Sequence, residues 1–122
     1  HYTRGVSGLI FIIKLTDQIY TYGGNSMRKL ELLFRNEVTL EDDRKMRLEY
    51  KLMESRSTDD GKPYYGIQIV KYLDNDMEMD EEAGISYSRD KVIAIAKTLY
   101  KHAVTPITMA EVVDDIISLE EL

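Results

Sequence analysis

Acidic side chains dominate one short stretch of the chain, Asp74–Glu82, which reads DNDMEMDEE. Its carboxylates recur at alternate positions, as they do in calcium-binding loops, where carboxylate oxygens ligate the ion. The EF-hand pattern requires glycine at its sixth position and glutamate at its twelfth. Counted from Asp74, these positions hold Met79 and Ile85. The match therefore fails, and we expect a solvated acidic connection and no metal site.

Residues for acid–base chemistry are few. His102 with Glu111 or Asp114 is the only combination that the segment after Met27 offers. No serine stands in a nucleophile elbow, and no glycine-rich loop joins a strand to a helix. We therefore expect no catalytic residue, no cofactor and no enzyme. One alternative stays open: a small-molecule-binding domain or enzyme with a pocket between sheet and helices, near Tyr100, His102 and Glu111.

Tyrosine is frequent, with nine residues in the chain. Tyr64, Gln68 and Tyr72 share one face of a predicted strand, opposite Ile67 and Ile69. An exposed tyrosine pair on a sheet face suits recognition of another protein. Ordinary cross-strand packing is the alternative explanation.

The composition restricts the partners that the chain can have. The formal net charge is −6, which argues against nucleic acids and anionic membranes. The stretch Arg44–Arg47 (RKMR) is a local basic exception, more typical of a turn that leads into a strand. The chain has no cysteine, which excludes disulfides and thiolate metal sites and fits a reducing cytoplasm. No apolar run reaches the roughly 20 residues that span a bilayer.

Strand periodicity characterises the segment before Ser88. Met46–Met53 and Tyr64–Leu73 each alternate between an apolar face and a mainly polar face. Between them, Asp60–Gly61 is a strong turn signal, and Pro63 fits the first position of a strand. These two runs therefore predict a hairpin.

Two further strands are expected on either side of this hairpin. Lys29–Leu40 is a strand candidate whose phase is ambiguous, because three apolar residues follow one another from Leu32 to Phe34. Downstream, Asp74–Glu82 is expected to connect to a short last strand within Ala83–Ser88. Such short polar connections favour an antiparallel meander.

Helical periodicity begins after Ser88, which we expect to cap the first helix. Apolar residues then recur at helical spacing up to Ala103, and Leu99 is among those that we expect in the core. Thr105 and Pro106 end this pattern, because a residue before proline avoids the helical conformation.

A second helix is expected after Pro106. Thr108 and Glu111 have the spacing of a capping box, and the adjacent Asp114 and Asp115 fall on the edge or outer face. An amphipathic helical pair can cover the apolar face of a sheet. The sequence therefore predicts an α+β fold: a three- or four-stranded antiparallel β-meander followed by two C-terminal helices packed on one sheet face.

The first 26 residues raise a separate question. Gly23–Gly24 can be encoded by a ribosome-binding sequence, with a short spacer before Met27. We therefore expect residues 1–26 to be a spurious translated leader or a disordered extension, and residues 27–122 to form one α+β domain. A native apolar strand and a secretory signal remain the alternatives.

Several motifs together resemble a known family. They are a Tyr-Gly-Ile strand at Tyr65–Ile67, a helix that begins at Ser88, a Val-Thr-Pro break at Val104–Pro106, and an acidic-Ile ending at Asp114–Ile116. From about Arg44 to Ile117 the chain resembles domain of unknown function family 6514, small proteins of clostridial Firmicutes. The resemblance implies a cytoplasmic domain in a low-GC anaerobe, and it implies no mechanism.

The sequence as a whole favours a small acidic cytoplasmic module that binds a protein partner or regulates one. Nucleic acid and membrane are not expected as partners, and homodimerisation through a sheet edge stays open. The candidate partner-binding residues lie on the sheet face and in the helical segment. They are Tyr64, Gln68, Tyr72, Thr105, Pro106, Asp114 and Asp115.

Overall fold

A computed structural model describes residues 11–15, 18–23, 26–56 and 61–120, with side chains from residue 28 to residue 119 in these ranges. One antiparallel sheet is followed by two helices, as the sequence predicts. The strands lie in the sheet in the order of the chain. They are β1 (Phe11–Leu15), β2 (Gln18–Gly23), β3 (Ser26–Thr39), β4 (Lys45–Arg56), β5 (Pro63–Leu73) and β6 (Asp76–Ser86).

The four strands from β3 to β6 confirm the predicted meander. Strands β1 and β2 extend the sheet beyond β3, and β2 pairs with the first part of β3, from Ser26 to Glu31. These two strands lie in the segment that we expect to be a leader. Their pairing does not test whether this segment is native, so that assignment stays a prediction.

The predicted hairpin is formed by β4 and β5, whose last pair joins Arg56 to Pro63. Gly61 has a φ of 68°, a left-handed conformation in which a Cβ atom would be strained. Asp60, the other residue of the predicted turn signal, lies outside the described residues.

Most of the acidic stretch Asp74–Glu82 is a strand, and the expectation that it only connects two strands is wrong. Only Asp74 and Asn75 form the turn, and β6 begins at Asp76. Within the acidic run, Met77 and Met79 lie at alternate positions, opposite Tyr72 and Val70 of β5. This alternation of methionine with carboxylates fits an edge strand, where charged side chains also discourage pairing with other chains.

The ambiguous phase of β3 has a structural cause. The register of β3 against β4 shifts between Leu32 and Phe34. Leu33 is thus the extra residue of a β-bulge, so Leu32 and Phe34 pair with consecutive residues of β4, Lys51 and Tyr50. A strand with an inserted residue changes its inward-facing set, which explains three consecutive apolar residues.

A second irregularity lies between β5 and β6, where Tyr65 pairs with Ser86 but Ile67 pairs with Glu82. Gly66 therefore faces a bulge in β6, in which Gly84 has a φ of 63°. A Cβ atom on Gly66 would collide with the backbone carbonyl oxygen of Glu82. Glycine at this position is what allows the two backbones to approach.

Helix α1 (Arg89–Lys101) begins as predicted, since the Ser88 hydroxyl accepts a 3.2 Å hydrogen bond from the Lys91 amide. It ends at Lys101 with His102 as its C-cap, and Ala103, the next residue, has a φ of 50°. The Val104 amide donates to the Leu99 carbonyl at 3.0 Å, and the Ala103 amide donates to Tyr100 at 3.1 Å. This is a Schellman motif, in which alanine occupies the position that glycine usually takes.

Helix α2 (Met109–Glu120) follows a 3₁₀ turn at Pro106–Thr108. The predicted capping box is wrong, because the helical turn already begins at Pro106 and Thr108 lies inside it. The Thr108 amide donates to the Thr105 carbonyl at 3.2 Å, and its hydroxyl donates to the same oxygen at 3.5 Å.

The core lies between the helices and one face of the sheet, which we call the helix-side face. Among the described side chains, its cluster of buried and partly buried hydrophobic residues runs from Leu33 onward. Leu99 is fully buried there, as expected. The largest fully buried side chains in this layer are Leu48, Tyr50, Ile67, Ile69, Val92, Ile95, Leu99, Met109 and Val113.

Candidate functional site

The turn between the two helices, Val104–Thr108, is anchored on the side that faces the sheet and exposed on the other side; we call it the inter-helix turn. Val104 is 7% exposed, and its carbonyl accepts a 2.9 Å hydrogen bond from the buried Tyr50 hydroxyl. Pro106 is buried in the core-facing side of the turn. Ile107, between these anchors and α2, is 79% exposed. The turn therefore presents an apolar side chain on a fixed backbone.

Two predicted site residues, Thr105 and Pro106, form the base of this turn. Thr105 is half-buried, and its carbonyl accepts both hydrogen bonds from Thr108. The pre-proline position is extended, with a φ of −98° and a ψ of 166°, as the sequence predicts. Thr105 and Pro106 thus position Ile107.

The other two helical candidates, Asp114 and Asp115, are exposed on α2. Burial of the Glu82 carboxyl, together with the neighbouring Asp114 and Asp80 carboxylates, raises the pKa of Glu82 above its usual range. Asp114 therefore faces β6, and like charges meet along this seam between helix and sheet. Further along α2, Leu119 is 70% exposed.

The opposite sheet face carries the remaining candidates; we call it the polar face. It includes Arg47, Glu49 and Lys51 of β4, which alternate with core residues. Our expectation that this face is mainly in contact with water is wrong at its centre, where Glu49 is 8% and Lys51 is 9% exposed. The Lys51 ammonium lies 3.7 Å from the Glu49 carboxylate.

Gln68 belongs to this buried centre and is 5% exposed. Its amide donates a 3.0 Å hydrogen bond to Glu81, which also accepts one at 2.8 Å from Arg28. Arg28 lies on β3 and Glu81 on β6, about 14 Å apart in a flat sheet at ordinary strand spacing. Extended side chains on the polar face therefore connect β3 to β6 across the two strands between them.

Tyr64 lies at the end of the polar face where β5 begins. Its half-buried ring meets the ring of Tyr87 edge to face, with centroids 5.8 Å apart. Tyr87 itself is 67% exposed. A Cβ atom on Gly84 would lie in ordinary contact with the Tyr64 ring, so the bulge in β6 brings backbone close beneath it.

Tyr72 lies near the other end of the polar face and is half-buried. The Arg47 guanidinium stacks on its ring, 4.6 Å from the centroid. Burial and the nearby Glu49 carboxylate raise the pKa of the Tyr72 phenol. The phenol is therefore neutral at physiological pH and offers an intact ring face to the cation.

The seven predicted residues form two groups on different sides of the sheet. Thr105 and Pro106 meet at the inter-helix turn, and α2, which carries Asp114 and Asp115, packs on the same side. The three sheet residues alternate with Ile67 and Ile69, so they lie on the polar face. The structure does not join the two groups into one surface.

His102 is the exposed C-cap residue of α1. Of its expected neighbours in the alternative pocket, Tyr100 stacks its ring on Phe34 at 4.9 Å and Glu111 is exposed. In the part of the chain that the structure describes, no group of three or more histidine, cysteine or acidic residues could hold a metal ion.

The basic stretch Arg44–Arg47 is divided among several contacts. Arg44 bridges two hairpin turns, with 2.7 Å contacts to Asp42 and Asp74. The Arg44 backbone amide and then its guanidinium donate hydrogen bonds to the Asp42 carboxylate, and these bonds lower the pKa of Asp42. Lys45 lies 3.7 Å from Glu37.

Helices in the described ranges are too short or too polar to cross a membrane.

The sequence did not single out Ile107, Arg47 or Tyr87. Ile107 follows Pro106 directly, so an apolar residue in a helix-breaking segment was the available signal. Arg47 alternates with core residues of β4, which places it on the face of Tyr72. No pattern in the sequence indicates that these two side chains stack, because the pairing depends on the register of the hairpin.

Comparison with known proteins gives one match. The model of a family described as "Family of unknown function (DUF6514)" matches residues 29–119. No curated protein and no solved structure matches the chain. The matched range holds β3 through almost all of α2, including both groups of candidate residues. The chain therefore belongs to the DUF6514 family.

Proposed function

We propose that this protein is a small cytoplasmic protein-binding module that uses the inter-helix turn as its main contact surface. The observation that carries this proposal is the 79% exposure of Ile107 on a turn anchored by the buried Pro106 and by the Tyr50–Val104 hydrogen bond. An apolar side chain on an already ordered backbone loses little conformational entropy when it enters a partner's pocket.

The charge around the turn supports a protein partner over an anionic polymer. The exposed carboxylates of Glu111, Asp114 and Asp115 on α2 follow the turn. They would repel phosphates and favour a partner with basic residues around an apolar pocket. In this proposal the chain acts by binding alone, and any chemical reaction is carried out by its partner.

Site-specific photocrosslinking in the native host tests this surface. We would place p-benzoyl-phenylalanine at Ile107 and, in a matched variant, at Ala94, an exposed position of α1. We expect one stoichiometric crosslinked protein from position 107 that is absent from position 94. The same partner should be lost from an Ile107→Asp bait and retained by an Ala94→Asp bait. Equal crosslinking from both positions, or none from position 107, would overturn the proposal.

A further inference from the structure

Arg47 is an exposed cation that is held in place by a ring. It pairs directly with Tyr72 in the β4–β5 register, and its guanidinium lies over the Tyr72 ring. Stacking occupies the face of a guanidinium and leaves its N–H edge available. Among the described side chains, no carboxylate forms an ion pair with Arg47. Glu37 lies directly across on β3, but it pairs with Lys45 at 3.7 Å.

Arg35 lies beside Arg47 on the same face. It pairs with Glu49, which is two residues from Arg47 along β4, so the two arginines are diagonal cross-strand neighbours. Such neighbours have Cα atoms about 7–8 Å apart. The Arg35 side chain is 56% exposed, and among the described side chains it forms one ion pair, with Glu49 at 3.4 Å. The Arg35 guanidinium therefore still has N–H donors available for another acceptor.

The spacing of these cations matches a particular ligand. Alternate residues of an extended chain lie about 6.6–6.8 Å apart and point the same way. Arginine forks bind carboxylates through two parallel hydrogen bonds. We propose that Arg47 and Arg35, with Arg47 positioned by Tyr72, bind an acidic protein segment in extended conformation, with carboxylates at alternate positions. This site lies across the sheet from the inter-helix turn and does not depend on it.

The local charge favours discrete carboxylates over a polyphosphate chain. Glu37 and Glu49 flank the two arginines and pair with Lys45 and Lys51, so carboxylates interrupt the positive charge and leave no continuous basic track for a polyanion. The net charge of −6 adds repulsion along any longer nucleic acid. Short-range, bidentate recognition of two carboxylates remains effective under these conditions.

Fluorescence anisotropy with the full chain and a labelled peptide of alternating threonine and glutamate tests the site. Arg47→Lys keeps the charge but removes the fork and the stacked plane, and we expect it to weaken binding about tenfold. Glu37→Gln removes a competing carboxylate and should tighten binding. Arg47→Gln removes the charge as well as the fork. Its matched control is Lys97→Gln, on the exposed side of α1, which should change binding less than twofold.

A direct readout accompanies the titration. Adding the peptide to the wild-type protein should shift the NMR signals of the Arg47 and Arg35 Nε–H groups, and a glutamine-for-glutamate peptide should leave them in place. Equal loss of binding in Arg47→Gln and Lys97→Gln, or tighter binding of a thymidine oligonucleotide than of the peptide, would overturn the proposal. Ile107→Asp should bind the peptide normally, which separates this site from the inter-helix turn.

Discussion

The hydroxyl of Tyr50, at the centre of the sheet, donates a 2.9 Å hydrogen bond to the backbone carbonyl of Val104, between the two helices. Tyr50 is fully buried, and Val104 is 7% exposed. The Tyr50 ring also meets Tyr100 of α1 edge to face, with centroids 6.0 Å apart. One side chain thus fixes the height of the inter-helix turn above the sheet.

Removing this hydroxyl should cost stability without changing the core volume appreciably. Tyr50→Phe leaves the buried Val104 carbonyl without its donor, so we predict a loss of about 1–3 kcal/mol in the free energy of unfolding. Chemical denaturation measures this loss. Tyr64→Phe, at a half-buried tyrosine with no side-chain hydrogen bond among the described residues, is the control and should stay within about 0.5 kcal/mol. Equal effects of the two changes would contradict the prediction.

The same phenol predicts a weakness at high pH. Burial raises the pKa of Tyr50 to about 12 from 10.0. The unfolded chain therefore releases this proton at lower pH than the folded chain does, and stability is lost as the pH rises from about 10 to about 12. Denaturation midpoints across this range should fall less steeply for Tyr50→Phe than for the wild type. Parallel curves would show that Tyr50 does not contribute.

Gly66 should tolerate no side chain. In Gly66→Ala the new methyl group would collide with the backbone of Glu82 and Ala83, which cannot rotate away as a side chain could. We predict a destabilisation of about 1–3 kcal/mol or more. Gly61→Ala, where a Cβ atom meets open space, pays only the left-handed backbone cost of about 1 kcal/mol. A larger loss at Gly61 than at Gly66 would contradict this account of the bulge.

The seam between β6 and α2 should respond to acid. Because the folded pKa of Glu82 is raised above 4.5, the folded state binds this proton more tightly than the unfolded state does. The charged form therefore opposes folding at neutral pH, and that cost disappears as the pH falls through the folded pKa. We predict that Glu82→Gln is more stable than the wild type at pH 7, and that the difference shrinks as the pH falls toward 4.5 and is gone below it.

Asp90→Asn, an exposed carboxylate in the first turn of α1, is the control for that experiment. It should be slightly destabilising at pH 7, because a negative charge near a helix N-terminus is favourable. If Glu82→Gln and Asp90→Asn shift stability in the same direction, the like charges at the seam are not the cause.

A chain that begins at Met27 should fold with the denaturation midpoint of the full chain. In the part of the chain whose side chains are described, the hydrophobic cluster between the sheet and the helices is formed by Leu33 and later residues. The family match likewise covers residues 29–119. A clear loss of stability would instead show that the pairing of β2 with β3 contributes to the fold.

The fold was largely predictable because most of its strands and helices follow simple rules. Met46–Leu52 alternates between apolar and charged residues, the Ser88 hydroxyl accepts a free amide in the first turn of α1, and Pro106 forces an extended Thr105. These are local effects of single residues on their neighbours. The start of β6 was missed because its carboxylates suggest a water-exposed loop, whereas the methionines between them pair with β5.

The candidate surfaces were less predictable, for a different reason. Alternation shows that Gln68 and Lys51 point away from the core, but it cannot show whether they contact water or a neighbouring polar side chain. Gln68 meets Glu81, and Lys51 meets Glu49. Similarly, the exposure of Ile107 depends on how the inter-helix turn packs on Tyr50. Such contacts depend on the register of the strands and on how the helices pack on the sheet.

The strand order, which repeats the order of the chain, also bears on synthesis of the protein. Each strand can pair with the one made just before it, and such local pairing forms quickly. The apolar helix-side face, however, stays uncovered until α1 and α2 leave the ribosome, when contacts such as Asn36 with Tyr100 can form across 64 residues. Limited proteolysis of stalled chains would detect that delay as protection gained only after Glu120. The last quarter of the chain thus completes a core that the sheet alone leaves open.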